Sequence, residues 1–595
     1  MTSSTKAPDA RIIPLSALKM GSRTGALDVP QDLSDLIDID AELARFEAEE
    51  RARLGIEGDA QQYVEKTFQD PSAADKAKVT ILVSGLTMAH DELVSAALGG
   101  IDYKVQALDC PDAAALRYGK EYGNRGQCNP TWFTVGNLVK HLVHLRDVEK
   151  IPTERIIDEY VFLTAGACGP CRFGMYVTEY RKALRDSGFE GFRVLLFQMA
   201  GGIKQAAGVE EKGLVFNPEF FVQIAKALVI GDVLNGIGYR IRPFEVEEGA
   251  TKKALVAAKA VLNHALRNKK SIFIAMLRAR QILGAVKVDR LRPKPKVGII
   301  GEFWAMTTEG DGNYKLQAFL EGEGAEVDTQ FVTTWVLFMV WEASRDTRHR
   351  MSLRKDDKGR KGLEGKDPRK KLMMTWVGDK AMRVLFQTAA QMLGFHGYHL
   401  ANMDEVADIA KDFYSLDVRG GEAHMEVAKN ILNVIYSKVN MTLSVKPFGC
   451  MPSSGVSDGV QSAITELYPE AIYLPIETTG DGAVNVYSRV QMMLFKAKQA
   501  AIKERDGVLA AYGMTAEEAN TFLAKIPFIG STLVGAPALI HSHASTAANQ
   551  AELAGMLRHP VKGIRRFFEL RKPRVSIRQA RHMADVAKGK AEAAA

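Results

Sequence analysis

The sequence predicts an α/β protein with two Rossmann-like, parallel-sheet domains around a helical middle region. Short strand-like runs alternate with helical patterns from residue 78 to residue 197 and again after residue 297. Between them, residues 215–286 show the Ala/Leu/Ile spacing of helices and contain no strand-like run. Because alternating strands and helices return the chain to the same edge of a sheet, both series favour mainly parallel sheets.

The first α/β domain is predicted over residues 76–214. Apolar and β-branched runs indicate its strands, and longer amphipathic stretches indicate its helices. We expect strands at 79–83, 103–108, 160–163 and 192–197, and helices at 92–98, 131–145 and 171–187.

The helical region is predicted over residues 215–293, where a basic segment interrupted by prolines closes it. The second α/β domain follows over 294–510 and carries a basic insertion at 345–371. Its predicted strands lie at 297–302, 326–331, 441–450 and 471–476, and its predicted helices at 314–323, 379–393, 403–414, 422–440, 460–467 and 484–504. Residues 1–75 are predicted to form a flexible leader, and 511–595 a helical basic tail.

Composition indicates a globular protein of several domains. The chain has 595 residues, of which 46% are hydrophobic and 25% charged. Its uninterrupted apolar runs are far shorter than the roughly 20 residues of a membrane span, so we expect no span. The first residues lack a secretory pattern and the chain has five cysteines, which together favour the cytoplasm.

The net charge of +7 comes largely from residues 345–371 and from 558–590. Basic runs can bind nucleic acid, but no recognition motif accompanies either run. We therefore expect no nucleic acid partner, and we interpret residues 345–371 as a solvated loop or as a docking surface for an acidic partner.

Four of the five cysteines lie in turns rich in Gly and Pro, and this is the most informative pattern in the chain. The four are Cys128, Cys168, Cys171 and Cys450, whereas Cys110 has no such motif and is expected to be a small buried hydrophobe. Thiolate ligands of an iron–sulfur cluster need a backbone that turns sharply and leaves amides free, which Gly and Pro neighbours allow. The pattern predicts an iron–sulfur site.

Two other kinds of thiol chemistry remain open at this point. Cys168-Gly-Pro-Cys171 after a strand-like run is also typical of a thioredoxin-type dithiol. Four thiolates could hold zinc, although structural zinc ligands usually come in close pairs and only one pair is present. Both alternatives explain the four cysteines less completely than a cluster does.

The predicted topology places the four cysteines at the edges of the sheets where strands lead into helices. Cys168 and Cys171 follow a predicted strand, Cys450 follows another, and Cys128 precedes a helix. Ligands of open α/β sheets bind beyond the carboxyl ends of the strands. Glu302 and Glu422 lie in loops of the second domain, and a carboxylate near a low-potential centre can move protons. We therefore take both as candidate catalytic residues.

With these turns in order, the chain resembles the 2-hydroxyacyl-CoA dehydratase and benzoyl-CoA reductase superfamily. Within it, the similarity is to the long activase-associated iron–sulfur proteins, which are described as activators of 2-hydroxyglutaryl-CoA dehydratase. The resemblance runs from about residue 78 to 505. It depends on five stretches: Gly126-Gln-Cys128-Asn-Pro, Cys168-Gly-Pro-Cys171-Arg-Phe-Gly-Met-Tyr176, Val297-Gly-Ile-Ile-Gly-Glu302, Gly421-Glu422-Ala and Lys446-Pro-Phe-Gly-Cys450-Met-Pro.

The resemblance implies that Cys128, Cys171 and Cys450 bind a [4Fe–4S] cluster, with Cys168 as an optional fourth ligand. It further implies ATP-dependent one-electron chemistry on a CoA thioester or a similar small substrate. The chain has no Gly-rich phosphate loop ending in Lys-Ser or Lys-Thr, so a separate activator ATPase is expected as its partner. Whether this chain is itself the enzyme or a non-catalytic electron relay or scaffold stays open.

One departure from the family pattern concerns the first turn. Many relatives carry Cys-Tyr-Pro-Cys where this chain has Cys128-Asn-Pro-Thr131. The ATPase domain that is fused to some relatives also has no counterpart in this sequence.

Overall fold

The computed structural model describes residues 39–55, 78–166, 171–197, 218–351, 367–418, 420–526 and 528–570. The chain divides into two compact units, residues 1–67 and 68–595. The described part of the first unit is helix α1 (Ile39–Leu54), on which Arg51 pairs with Glu47 and Arg53 with Glu50. All other elements below belong to the second unit, which is mostly helical and contains two four-stranded parallel sheets.

The first sheet has the strand order β2-β1-β3-β4, and every described pairing in it is parallel. The four predicted strands and the three predicted helices of this region are present, with ends shifted by a few residues, whereas the helices Ala113–Tyr122 and Thr153–Glu159 were not predicted. The strands are β1 (Thr80–Val83), β2 (Lys104–Ala107), β3 (Tyr160–Ala165) and β4 (Arg193–Phe197). The helices are α2 (Met88–Gly99), α3 (Ala113–Tyr122), α4 (Asn129–Asp147), α5 (Thr153–Glu159) and α6 (Tyr176–Asp186).

Long helices follow the first sheet, as the sequence predicts. They are α7 (Pro218–Ile241), α8 (Ala250–Arg267) and α9 (Ile272–Gly284), and they share one hydrophobic core with α2 and the first sheet. Buried Asp232 of α7 accepts hydrogen bonds from the amides of Val332 and Thr333, at 2.9 and 2.6 Å. This side chain fastens α7 to the start of the helix Val332–Met351.

Helix α7 is the described helix that is long and apolar enough to cross a membrane. With the turn that follows it, it covers Pro218–Phe244 at a mean hydropathy of 1.5, and 56% of the most apolar window is buried inside the fold. The expectation drawn from uninterrupted apolar runs missed this segment, because Lys226 and Asp232 break the run. Core helices of soluble proteins pass the same test, so one such helix is weak evidence for a membrane span.

The second sheet has the equivalent order β6-β5-β7-β8 and is also parallel. Its strands are β5 (Lys296–Gly301), β6 (Glu326–Thr329), β7 (Met441–Pro447) and β8 (Tyr473–Thr478). Its connecting helices are α10 (Phe303–Thr307), α11 (Leu316–Gly322), α12 (Val332–Met351), α13 (Pro368–Leu393), α14 (Met403–Ala410), α15 (Ala423–Ile435), α16 (Met451–Gly455) and α17 (Gln461–Leu467). The α/β class expected from the sequence is confirmed.

The predicted basic insertion at 345–371 joins two of these helices. Its first residues continue α12 and its last residues begin α13, whereas 352–366 lie outside the described residues. The predicted leader likewise lies outside the described residues except for 39–55.

A helical region follows the second sheet and has a hydrophobic core of its own. It consists of α18 (Ala483–Tyr512), α19 (Ala516–Ala524), α20 (Gly535–Leu539), α21 (Thr546–Arg558) and α22 (Pro560–Leu570). Residues 571–595 of the predicted basic tail lie outside the described residues.

Helices α3 and α4 touch through glycine, and this contact positions the start of α4. A Cβ at Gly136 would stand 1.8 Å from the carbonyl oxygen of Ala115, and one at Gly119 would stand 1.8 Å from that of Trp132. A carbon atom cannot lie this close to an oxygen atom without a severe steric clash. The backbones therefore meet at a separation that only glycine permits.

We predict that Gly136→Ala destabilises the protein by about 2 kcal/mol or more, because the added methyl group forces α3 and α4 apart. Gly378→Ala is the matched control, since Gly378 is also within a helix but has no atom near its missing Cβ. That control should be neutral or stabilising by about 0.5 kcal/mol. Urea unfolding followed by circular dichroism measures both, and equal midpoints for the two variants would contradict the prediction.

Candidate functional site

The cysteines of the three described turns each stand at the start of a helix. Cys128 is the N-cap of α4 and Cys450 is the N-cap of α16. Cys171 is the N-cap of a short 3₁₀ helix, Arg172–Met175, which leads into α6. The described cysteines, including Cys110, are free thiols, and Cys168 lies outside the described residues.

Several of these residues lie beyond the central strands of the two sheets. In each sheet the chain moves outward in opposite directions from one pair of neighbours, β1 and β3 in the first and β5 and β7 in the second. Such a switch point leaves a crevice beyond the carboxyl ends of the strands. Cys171 follows β3, Glu302 follows β5 and Cys450 follows β7.

The turn of Cys128 contacts the turn of Cys450. The amide of Asn129 donates to the carbonyl of Phe448 at 2.9 Å. Gly449 adopts a φ of 76°, and a Cβ at this position would lie 3.1 Å from the Cα of Cys128. Glycine is needed here both for its left-handed backbone and for the close approach. The two cysteines are therefore brought together from sequence positions more than 300 residues apart.

The segment that carries Cys171 also contacts the turn of Cys128. The Tyr176 hydroxyl lies 3.1 Å from the sulfur of Cys128, and the Arg172 guanidinium donates to the carbonyl of Gly126. The Thr131 hydroxyl also lies 3.1 Å from the Cys128 sulfur. Hydroxyl groups at this distance can donate to a thiolate and stabilise its charge.

The two candidate glutamates meet at the start of α10. Glu302 is the N-cap of this helix, and its Oε2 accepts from the amide of Ala305 at 2.8 Å. Glu422 reaches the same helix from the start of α15, where its Oε1 accepts from the amide of Phe303 at 2.5 Å. The helix start thus orients both carboxyl groups.

Burial raises the pKa values of both acids. Burial, followed by the charge of Glu422, raises the pKa of Glu302 to about 8. Burial also raises the pKa of Glu422, although the amide of Phe303 opposes the shift. At neutral pH the pair therefore holds at least one proton.

The thiols respond to the same two carboxyl groups. Burial, then Glu422 and then Glu302, raises the pKa of Cys171 to about 12. Burial raises the pKa of Cys450 above its usual range, with Glu302 as the second cause. Burial also raises the pKa of Cys128, to which Glu302 contributes. These interactions place the predicted cysteines and glutamates of the described chain in one electrostatic group.

This group has the donor chemistry of a site for a positively charged centre. Burial disfavours the charged forms of its carboxyl groups and thiols, and a cation among them would favour the thiolates. Among the described residues, no group of three or more His, Cys, Asp and Glu side chains is placed to hold a single metal ion. In a four-iron cluster each thiolate binds a different iron atom, so its ligands stand further apart than those of one ion.

The sequence-based analysis did not identify several residues that shape the site. Thr131 and Tyr176 contact the Cys128 sulfur, and Asn129 bridges the two turns. Glu426 is buried behind Glu422, where Ser444 and Ser457 donate to its Oε1 at 2.6 and 3.0 Å. Thr131 and Tyr176 lie within or next to the cysteine motifs that the sequence analysis singled out.

Comparisons with known proteins do not assign the site. No family model matches the chain, and no curated protein sequence matches it.

We predict that Glu302→Gln raises the stability of the metal-free protein at pH 8 by about 1 kcal/mol or more. The folded protein keeps a proton on Glu302 up to about pH 8, while the unfolded chain releases it near pH 4.5. The wild-type protein therefore loses stability as the pH rises from about 4.5 to 8. Glutamine keeps the acceptor for the Ala305 amide but has no proton to release.

Urea unfolding at pH 5 and pH 8 measures this difference, with Glu517→Gln on the exposed side of α19 as control. The Glu302 variant should lose less stability than the wild-type protein and the control between the two pH values. Parallel losses in all three proteins would contradict the assigned pKa.

Proposed function

We propose that this chain is the iron–sulfur component of an ATP-dependent, low-potential reductase or dehydratase system, and that it accepts single electrons at a [4Fe–4S] cluster. Cys128, Cys171 and Cys450 would hold the cluster, and Cys168 or a non-protein ligand would complete it. The observation that carries the proposal is the meeting of separate cysteine turns, each at a helix start, around Glu302 and Glu422.

A cluster of this type would store one electron at low potential. The chain's own residues tune and protect that chemistry. The hydroxyls of Thr131 and Tyr176 each lie 3.1 Å from the Cys128 sulfur, and as donors to a thiolate they would stabilise its negative charge. Helix starts add amide groups and partial positive charge beside each cysteine.

Glu302 and Glu422 are proposed to hold and transfer protons beside the site. The pKa of Glu302 near 8 keeps it protonated at neutral pH while leaving transfer feasible, as suits a general acid. The amides of Ala305 and Phe303 fix the orientation of the two carboxyl groups. Glu426 lies next along the buried series of acids, and burial raises its pKa to about 7.

We propose, as part of the same function, that the two α/β halves have Rossmann-like folds. We assign Rossmann-like character to both parallel sheets, since each has a central switch point with candidate residues beyond the carboxyl ends of its strands. The two halves would then supply ligands to one shared site from opposite sides.

The proposed system needs an electron donor and a substrate. A separate activator ATPase is the proposed donor, and a CoA thioester or a similar small molecule is the proposed substrate. For the donor we propose docking at the basic stretch 345–371, because clustered positive charge attracts an acidic partner and makes association sensitive to salt. The proposed location is the cytoplasm.

We predict that protein purified without oxygen is brown and contains about four irons per chain, as one such cluster requires. Cys128→Ser, Cys171→Ser and Cys450→Ser should each lower the iron content and the absorbance near 400 nm at least severalfold, whereas Cys110→Ser should not. Colourless protein after incubation with iron and sulfide, with a reversible Cys168–Cys171 disulfide, would instead favour the dithiol alternative.

A second prediction separates a substrate-binding component from an electron relay. If acyl-CoA binds beside the cysteines, titration with the right thioester should change the electron paramagnetic resonance signal of the reduced protein, and Glu302→Gln should alter that change. A relay would respond to the reduced ATPase partner and not to any thioester. A spectrum unchanged by every thioester tested would therefore assign the chain as a relay or scaffold.

A further inference from the structure

Helix α22 exposes a continuous apolar stripe. Val561, Ile564 and Phe568 are 86%, 62% and 62% exposed. Their spacing of three and then four residues puts them on one face of the helix. Large apolar side chains aligned in this way are unusual on a surface that faces only water.

The opposite face of α22 is fixed to the rest of the protein. Gly563 is buried against α21, where an added Cβ would lie 2.2 Å from the carbonyl oxygen of Met556. Arg566 donates to the buried carboxylate of Glu552 at 2.9 Å. These contacts hold the helix in a definite orientation, so the apolar stripe faces outward.

Positive charge accompanies the stripe. Lys562 and Arg565 are exposed on α22, where Arg565 pairs with Glu569 at 3.4 Å, and Arg558 at the end of α21 pairs with Glu518 at 3.7 Å. The sequence after Leu570 continues this bias, with two acids, Asp585 and Glu592, against seven basic residues. The seven are Arg571, Lys572, Arg574, Arg578, Arg581, Lys588 and Lys590.

We propose that α22 binds the surface of an anionic lipid bilayer. A short helix with an apolar stripe and basic flanks lies in the plane of such a surface, with its apolar residues below the headgroups and its cations among them. Charge disfavours a second copy of the chain as the occupant, because pairing two such helices would bring like charges together. The protein is then a peripheral membrane protein that is held by this helix.

The test is co-sedimentation of the full chain with vesicles. Vesicles of phosphatidylcholine alone are compared with an equal mixture of phosphatidylcholine and phosphatidylglycerol. We expect binding to the anionic vesicles, and we expect it to weaken as salt rises from about 0.1 M to about 1 M and the Debye length falls from about 10 to about 3 Å. The measurement does not depend on iron content, so it is independent of the function proposed above.

Variants decide which residues are responsible. Replacing Val561, Ile564 and Phe568 together by Ser should weaken binding at least about tenfold, and removing Lys562 and Arg565 should weaken it about fivefold per charge. Phe495→Ser on α18 is the matched control, since Phe495 is 63% exposed but lies outside the stripe, and it should bind like the wild-type protein.

Two results would overturn the proposal. One is vesicle binding by the triple Ser variant at the wild-type level. The other is failure of the wild-type protein to bind anionic vesicles; if light scattering then shows an oligomer that the triple Ser variant loses, the stripe is an interface between copies of the chain. Circular dichroism of each variant verifies that the fold is retained.

Discussion

The hydrogen bond from the amide of Asn129 to the carbonyl of Phe448 is the interaction on which the site depends. It joins the start of α4 to the loop after β7, and hence the two α/β halves at their functional edges. The fully buried Asn129 side chain adds weaker contacts, at 3.3 Å to the carbonyl of Gly312 and 3.4 Å to the Thr478 hydroxyl. One hydrogen bond is worth only about 1 kcal/mol. Its importance is geometric, because it sets the separation of Cys128 and Cys450.

The buried acids of the candidate site destabilise the fold when they ionise. Glu302, Glu422 and Glu426 all have raised pKa values for which burial is the first cause, and the site cysteines share that penalty. A core that evolved only for stability would place apolar residues here. Concentrated ionisable groups with shifted pKa values are typical of functional sites, where local stability is given up for chemistry.

The buried contacts that join the α/β halves and the exposed apolar stripe of α22 lie in different parts of the chain. The α/β halves and α7 share buried contacts, among them Asp232 at the start of α12. Helix α22, by contrast, is fixed along one face and presents apolar side chains to solvent on the other. The candidate site and the helix proposed to bind a membrane therefore lie in separate parts of the fold.

Local sequence patterns were enough to predict the α/β class, the strands in their order, and the turns that carry the cysteines, but they did not predict helices α3, α5 and α12. Strand and helix periodicity and Gly/Pro turns are properties of short segments, so they can be interpreted without knowledge of the fold. Only the tertiary structure could show that Cys128, Cys171 and Cys450 share an electrostatic environment with Glu302 and Glu422. It also identified Thr131, Tyr176 and Asn129 as parts of the site, and Gly136 as a contact between helices. These are relations between segments up to hundreds of residues apart, and they depend on how strands are ordered in a sheet and how two sheets meet, which no local pattern encodes.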